Sequence, residues 1–105
     1  MTTAIRSARK SDHDVLVSVS TRTIRASYIP FLGRDAVEGW LEGGTVDAYF
    51  TEKLADCRVL EDDGHIVGFC VALAEFIDLM MIDCDRHREG FGRDLLSHVE
   101  RDAFK

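Results

Sequence analysis

The chain has 105 residues, 46% of them apolar and 30% charged, with a net charge of −6. That describes one domain, residues 1–105, with apolar material for a core and too much of it for a disordered chain. The acidic balance excludes a broad basic face for nonspecific nucleic-acid binding, and no apolar run reaches the ~18 residues of a membrane span. The first residues, Met1-Thr2-Thr3-Ala4-Ile5-Arg6, contain no apolar signal region. Cys57, Cys70 and Cys84 fall in predicted strands or at a strand end and read as buried thiols in a reducing, cytoplasmic setting. They show no Cys-x-x-Cys spacing, so no metal is expected.

Ala4 to Ala8 predicts a short first strand. Ser11-Asp12-His13-Asp14 reads as a capping box, in which a hydroxyl takes an orphan N–H and an acidic group follows three residues on. A helix from Asp12 to about Ala26 follows, with Val15, Leu16, Val19 and Ile24 as its apolar stripe. Pro30 closes that region and Gly33 follows. A second helix, about Arg34 to Leu41, carries Val37, Trp40 and Leu41 and stops at Gly43-Gly44. Thr45 is placed to cap a short third helix holding Val46, Tyr49, Phe50 and Leu54.

Asp56 to Glu61 predicts a second strand, and Asp62-Asp63-Gly64 a hairpin turn. His65 to Ala74 is a long apolar third strand, a pattern that implies cover on both faces. Gly68 inside it marks a bulge or a close approach. A fourth strand spans about Ile77 to Asp83. The last helix begins near Gly90 or Phe91, with Leu95, Leu96, Val99 and Ala103 as a stripe at helical spacing. No repeat, linker or low-complexity tract interrupts the chain.

Between the fourth strand and the last helix lies a basic, glycine-containing turn, Arg86 to Arg93. The first N–H groups of a helix have no internal partner and carry partial positive charge, so this turn is a ready anion site. A P-loop run is absent. A dinucleotide fingerprint would need a third glycine where Leu95 stands and an acidic residue ~20 positions on, past the last residue.

The order apolar strand, Gln/Arg-x-x-Gly-x-Gly/Ala, leucine-rich helix resembles motif A of the GNAT superfamily of acyl-CoA N-acyltransferases. Here the six positions are His87, Arg88, Glu89, Gly90, Phe91 and Gly92. His87 stands where the family usually has Gln or Arg, and Cys84 where many members have proline. The run Gly64-His65-Ile66-Val67-Gly68-Phe69 is similar to the family's preceding hairpin. The resemblance spans about Ile5 to Phe104 and is specific over residues 57–96. It implies an α/β (α+β) fold, a mixed sheet of about four strands with helices on both faces. Family members continue with further strands and a helix that wall the other side of the cofactor cleft, so the chain is expected to be C-terminally short.

The resemblance further implies acetyl-CoA or CoA as cofactor and direct acyl transfer to a small-molecule or peptide amine. Residues 88–92 would cradle the pyrophosphate, with His87 and Arg93 beside them. Backbone groups of Met80, Met81 and Ile82 would pair with the pantetheine arm, and one of those N–H groups would polarise the thioester carbonyl. The amine must lose a proton. Where some members hold a glutamate base this chain has Phe76, which leaves Glu75 and Asp78 as the candidate catalytic carboxylates. Tyr28 and Tyr49 match no family acid by position and read as packing or acceptor-site residues, and Tyr28 to Trp40 would border the acceptor. An inactive CoA-binding or dimerisation module is the alternative, and an unliganded interaction domain the third reading; turnover separates the first two and CoA binding the last two. An apolar fourth strand with an open edge predicts a homodimer.

Overall fold

Apolar residues spaced two apart on strands and three or four apart on helices decide the layers. The computed structural model describes residues 3–73 and 76–102. Four strands, β1 (Thr3–Ser7), β2 (Cys57–Asp62), β3 (His65–Ala72) and β4 (Ile77–Ile82), form one sheet in the order β1-β2-β3-β4. The helices are α1 (His13–Leu32), α2 (Arg34–Glu42), α3 (Thr45–Lys53) and α4 (Phe91–Asp102).

The α/β expectation with helices on both faces holds. Leu16 of α1 and Val46 and Phe50 of α3 pack with Val59, Phe69 and Val71 on one face. Phe91, Leu95 and Val99 of α4 pack with Leu60, Val67 and Cys70 on the other. The pairing corrects the expected mixed sheet: every neighbouring pair runs antiparallel. Short connections reverse the chain after β2 and β3, which antiparallel neighbours require.

Two bulges reset the strand alternation. Leu60 pairs with Gly68 while Glu61 pairs with Ile66, so Val67 is the extra residue and both Val67 and Gly68 turn toward α4. A Cβ on Gly68 would lie 2.5 Å from Ile82 Cδ1 and 3.0 Å from the Met81 carbonyl oxygen, so close approach of β4 requires glycine there. The second bulge leaves Asp78 extra, between Leu79 (paired with Val71) and Ile77 (paired with Ala72).

Several element bounds differ from expectation. α1 runs to Leu32, through Pro30. In the last turn a proline forfeits only its own N–H bond, and the Gly33 N–H still reaches the Ile29 carbonyl at 2.9 Å. The Ser11 capping box does not form; Asp12 is the N-cap, and its carboxylate accepts from the Arg9 N–H at 2.7 Å. Gly44, in the left-handed region, caps α3 in place of Thr45. Val15 is exposed, whereas Ser20 and Thr23 complete the buried stripe of α1. β3 ends at Ala72; its expected end at Ala74, and Ala103 of the last stripe, lie outside the described residues. Cys57 and Cys70 are buried free thiols, and burial pushes Cys57 up to about 12, but Cys84 is only half-buried.

Arg6 ties β1 to the rest: it donates to Asp12 at 2.7 and 3.0 Å and to Glu61 at 3.1 Å. The Arg6 pair holds the Asp12 carboxyl below the usual carboxylate range.

Replacing Gly68 by alanine should force β4 away or drive Ile82 off its rotamer, at ~1–3 kcal/mol. Urea unfolding of Gly68→Ala checks this; an unchanged midpoint would show that the β3–β4 approach is not tight.

Candidate functional site

β4 carries the site, because three different surfaces meet on it. Its end leads through a short 3-10 turn (Cys84–Arg86) and residues 87–90 into α4. The turn needs two left-handed residues, Arg88 (φ 71) and Gly90 (φ 82). Asp94 N–H bonds to the Gly90 carbonyl at 3.1 Å, so the N–H groups of Phe91, Gly92 and Arg93 precede the first intrahelical bond and are free for an anion.

The turn's side chains divide in two. Arg86 is committed inward: it donates to Glu89 at 2.7 Å and to buried Asp62, and lies 5.1 Å over the Phe91 ring. Arg88 and Arg93 are exposed, with no carboxylate partner among the described residues. Glu89, placed in the expected cradle, is the partner of Arg86, which holds its carboxyl below the ordinary range. His87 Nε2 donates to the Ile82 carbonyl at 2.9 Å.

The edge of β4 is the second surface. Asp83 N–H bonds to the Val67 carbonyl at 2.8 Å. By the alternation of an antiparallel ladder, Leu79 and Met81 then point their backbone groups at β3, and Met80 and Ile82 point theirs outward. Among the described residues no strand pairs with that outer edge. Of the three expected strand residues, Met80 and Ile82 therefore point backbone outward, the Ile82 carbonyl being taken by His87, and Met81 turns inward.

The third surface is the face of β4 toward α1, α2 and α3. A cavity of about 560 Å³ lies there, lined among others by Ser20, Tyr28, Trp40, Tyr49, Leu79 and Met81. The bulge turns Asp78 onto the same face as Leu79, and the Tyr49 hydroxyl donates to Asp78 Oδ2 at 2.5 Å. Burial first, and then the Asp78 carboxylate, raise the Tyr49 phenol above its ordinary range. The donor to this carboxylate comes from 29 residues away. Glu75, the other candidate carboxylate, lies outside the described residues.

α1 fixes the end of β4. Arg22 donates to Asp83, and Thr23 Oγ1 accepts from the Cys84 N–H at 3.1 Å. Asp83, Cys84 and Asp85 lie close enough together to suggest a metal site, but both carboxylates face Arg22. Nothing in residue spacing signals the pairing of Arg22 with Asp83, 61 positions apart.

No protein-family model matches the sequence, and no curated protein matches it. Solved structures do. The PaiA N-acetyltransferase of Thermoplasma acidophilum, in complex with coenzyme A, superposes with TM-score 0.82 at 14% identity, over 96% of this chain and 71% of its own. A GCN5-related N-acetyltransferase of Rhodopseudomonas palustris gives 0.80 at 21%, over 98% and 66%. Apo YjaB of Escherichia coli gives 0.78 at 24%, over 98% and 67%. The fold is that of N-acetyltransferases. More narrowly it is the GNAT fold, and the chain spans about two thirds of the length of these structures. No described helix is long and apolar enough to cross a membrane.

Burial raises the Asp83 carboxyl, but Arg22 and the Asp85 N–H outweigh it, leaving Asp83 below the ordinary carboxylate range. A depressed folded pKa adds stability above the unfolded value of about 3.9, and that stability is lost as pH falls through the folded value. Arg22→Leu should therefore be less stable by ~1–3 kcal/mol near neutral pH, discounted from a buried pair because Arg22 is half-exposed. The gap should shrink below about pH 4. Thermal melts across that range check it, and a pH-independent gap would refute it.

Proposed function

We propose that the chain binds acetyl-CoA and transfers its acetyl group to an amine by direct attack. The single observation that carries this reading is the convergence on β4. The α4 N-terminus and two unpaired arginines sit at the strand's end, unpaired backbone runs along its edge, and a carboxylate stands on its face beside a cavity. The GNAT fold supports it, and one superposed structure is a coenzyme A complex.

In this reading the N–H groups of Phe91, Gly92 and Arg93 take the pyrophosphate, with Arg88, Gly90 and Arg93 shaping and charging the turn. Met80 and Ile82 pair with the pantetheine arm, which requires His87 to yield the Ile82 carbonyl or share it. A β4 N–H polarises the thioester carbonyl as its oxygen gains charge. The acceptor nitrogen forms the new N–C bond, the C–S bond breaks with its electron pair leaving on sulfur as the CoA thiolate, which water protonates, and the nitrogen's proton goes to Asp78 directly or through water. Glu75 is the alternative acceptor of that proton. A CoA-binding module without turnover is the second reading.

Calorimetric titration tests the cofactor. Gly90 stands at φ 82, so Gly90→Asp would mix backbone strain with charge; Arg93→Glu changes charge alone. Wild type should bind CoA at micromolar concentration and Arg93→Glu at least about tenfold more weakly. Asp78→Asn should lower turnover by ~10²–10⁴ with CoA affinity kept. Absence of CoA binding by wild type would sink the reading, and full turnover by Asp78→Asn would transfer the base role to Glu75.

We also propose a homodimer through the outer edge of β4, where Met80 and Ile82 leave backbone groups unpaired. Light scattering without ligand should give twice 11.8 kDa. A stable monomer would refute it.

A further inference from the structure

The cavity between α1, α2, α3 and β4 has a chemistry that narrows the acceptor. Its volume, about 560 Å³, falls among those of small-molecule pockets. Its walls are Ile24, Leu32, Val37, Val46, Phe50 and Met81, and none of its lining residues is charged. At its edge stand two large rings that a closed core would have buried, Tyr28 (52% exposed) and Trp40 (51%). Large apolar rings left in water around a concave apolar wall mark a binding surface.

The polar groups are few and placed. Ser20, on the same lining, is 1% exposed and its Oγ has no hydrogen-bond partner. Buried hydroxyls are almost always partnered, so the Ser20 hydroxyl is open to a hydrogen bond from a group in the cavity. Tyr49 lines the cavity and its hydroxyl donates a hydrogen bond to Asp78, which is exposed. The arrangement is an apolar chamber with a carboxylate at one end.

We propose that this chamber takes the body of the acceptor, and that the acceptor is a primary amine on an aryl or branched-alkyl frame. This rests on the acyl-transfer reading for its chemistry but not for its binding. The frame enters among Tyr28, Trp40, Phe50 and Met81, a polar substituent on it reaches Ser20, and the amine stays at Asp78. A polyamine is excluded by the same walls: it would carry several charges into a lining with no carboxylate, and each would lose its water without a partner. A small molecule fits this surface better than a second protein chain, since the concavity has the volume of a ligand pocket.

Trp40 is the only tryptophan, so its emission reports the chamber directly. The protein is titrated with 2-phenylethylamine, with its neutral analogue 2-phenylethanol, and with spermidine, each with and without saturating CoA. Saturable emission shifts are expected for the first two and none for spermidine. Asp78→Asn should weaken the amine about tenfold and leave the alcohol unchanged. Ala36→Phe, a change on the exposed side of α2 that narrows the chamber, should weaken both at least about tenfold, with circular dichroism confirming that the variant is folded. The proposal is overturned if 2-phenylethylamine gives no saturable shift in either condition, if spermidine binds as well, or if folded Ala36→Phe binds as wild type does. Binding of 2-phenylethylamine by a protein that fails to bind CoA would leave the chamber standing and remove the transferase reading alone.

Discussion

Burial of β3 on both faces is the constraint on which the rest of the structure depends. Phe69 and Val71 face α1 and α3, while Val67 and Cys70 face α4, and all four are essentially inaccessible. Each large apolar side chain so buried contributes ~1.5–3 kcal/mol against a domain stability of ~5–15 kcal/mol. A strand with two apolar faces cannot be an edge, so β2 and β4 must flank it. Its fixed register then determines where every residue of β4 points. Gly68 is where that requirement is most severe, because the bulge turns two consecutive positions toward α4 and only one side chain fits beside Ile82.

Charge is organised around the same strand. The chain is acidic overall, yet several arginines are held by carboxylates that join distant elements. Arg6 links β1 to Asp12 and Glu61, Arg22 links α1 to Asp83, and Arg86 links the turn to Asp62. Asp12, Asp62 and Asp83 are buried, and a buried carboxylate is tolerable only with such a partner. These pairs fix positions more than they add stability. Arg22 and Arg86 in particular set the exit of β4 and the entry of α4, so the N–H groups that open α4 are aimed by contacts on either side of them. The arginines left without carboxylates at that place, Arg88 and Arg93, then face solvent beside a helix start, where an anion gains from both.

Much of this was legible in the sequence because it is local. A nearly continuous apolar run marked β3, period-three-to-four apolar spacing marked α4, Asp-Gly marked the hairpin, and Gly68 in an apolar run marked a bulge. The turn between β4 and α4 was legible for the same reason: strand, glycines and helix start are contiguous. Pro30 misled because a proline's effect depends on which turn of a helix it occupies, and the last turn has little to lose. Ser11 misled because Asp12, one residue on, had stronger partners in Arg6 and the Arg9 N–H. The second bulge, at Asp78, has no glycine to announce it. Nor could spacing pair Tyr49 with Asp78 or Arg22 with Asp83, since those contacts exist only once α1 and α3 are laid across the sheet.

The Asp78 bulge is what would let one strand serve two ligands in the proposed reading. In a regular strand, Asp78 and Leu79 would face opposite sides, and the carboxylate would turn toward α4, away from the cavity. The extra residue keeps Ile77 with the α4 core and brings Asp78 round beside Leu79, on the side of Tyr49 and the chamber. The ladder toward β3 resumes at Leu79, so the outward backbone at Met80 begins two residues from the carboxylate. In the proposed reading, that single inserted residue would put the proton-accepting carboxylate on the face of β4 and leave the backbone groups offered to the cofactor on its edge.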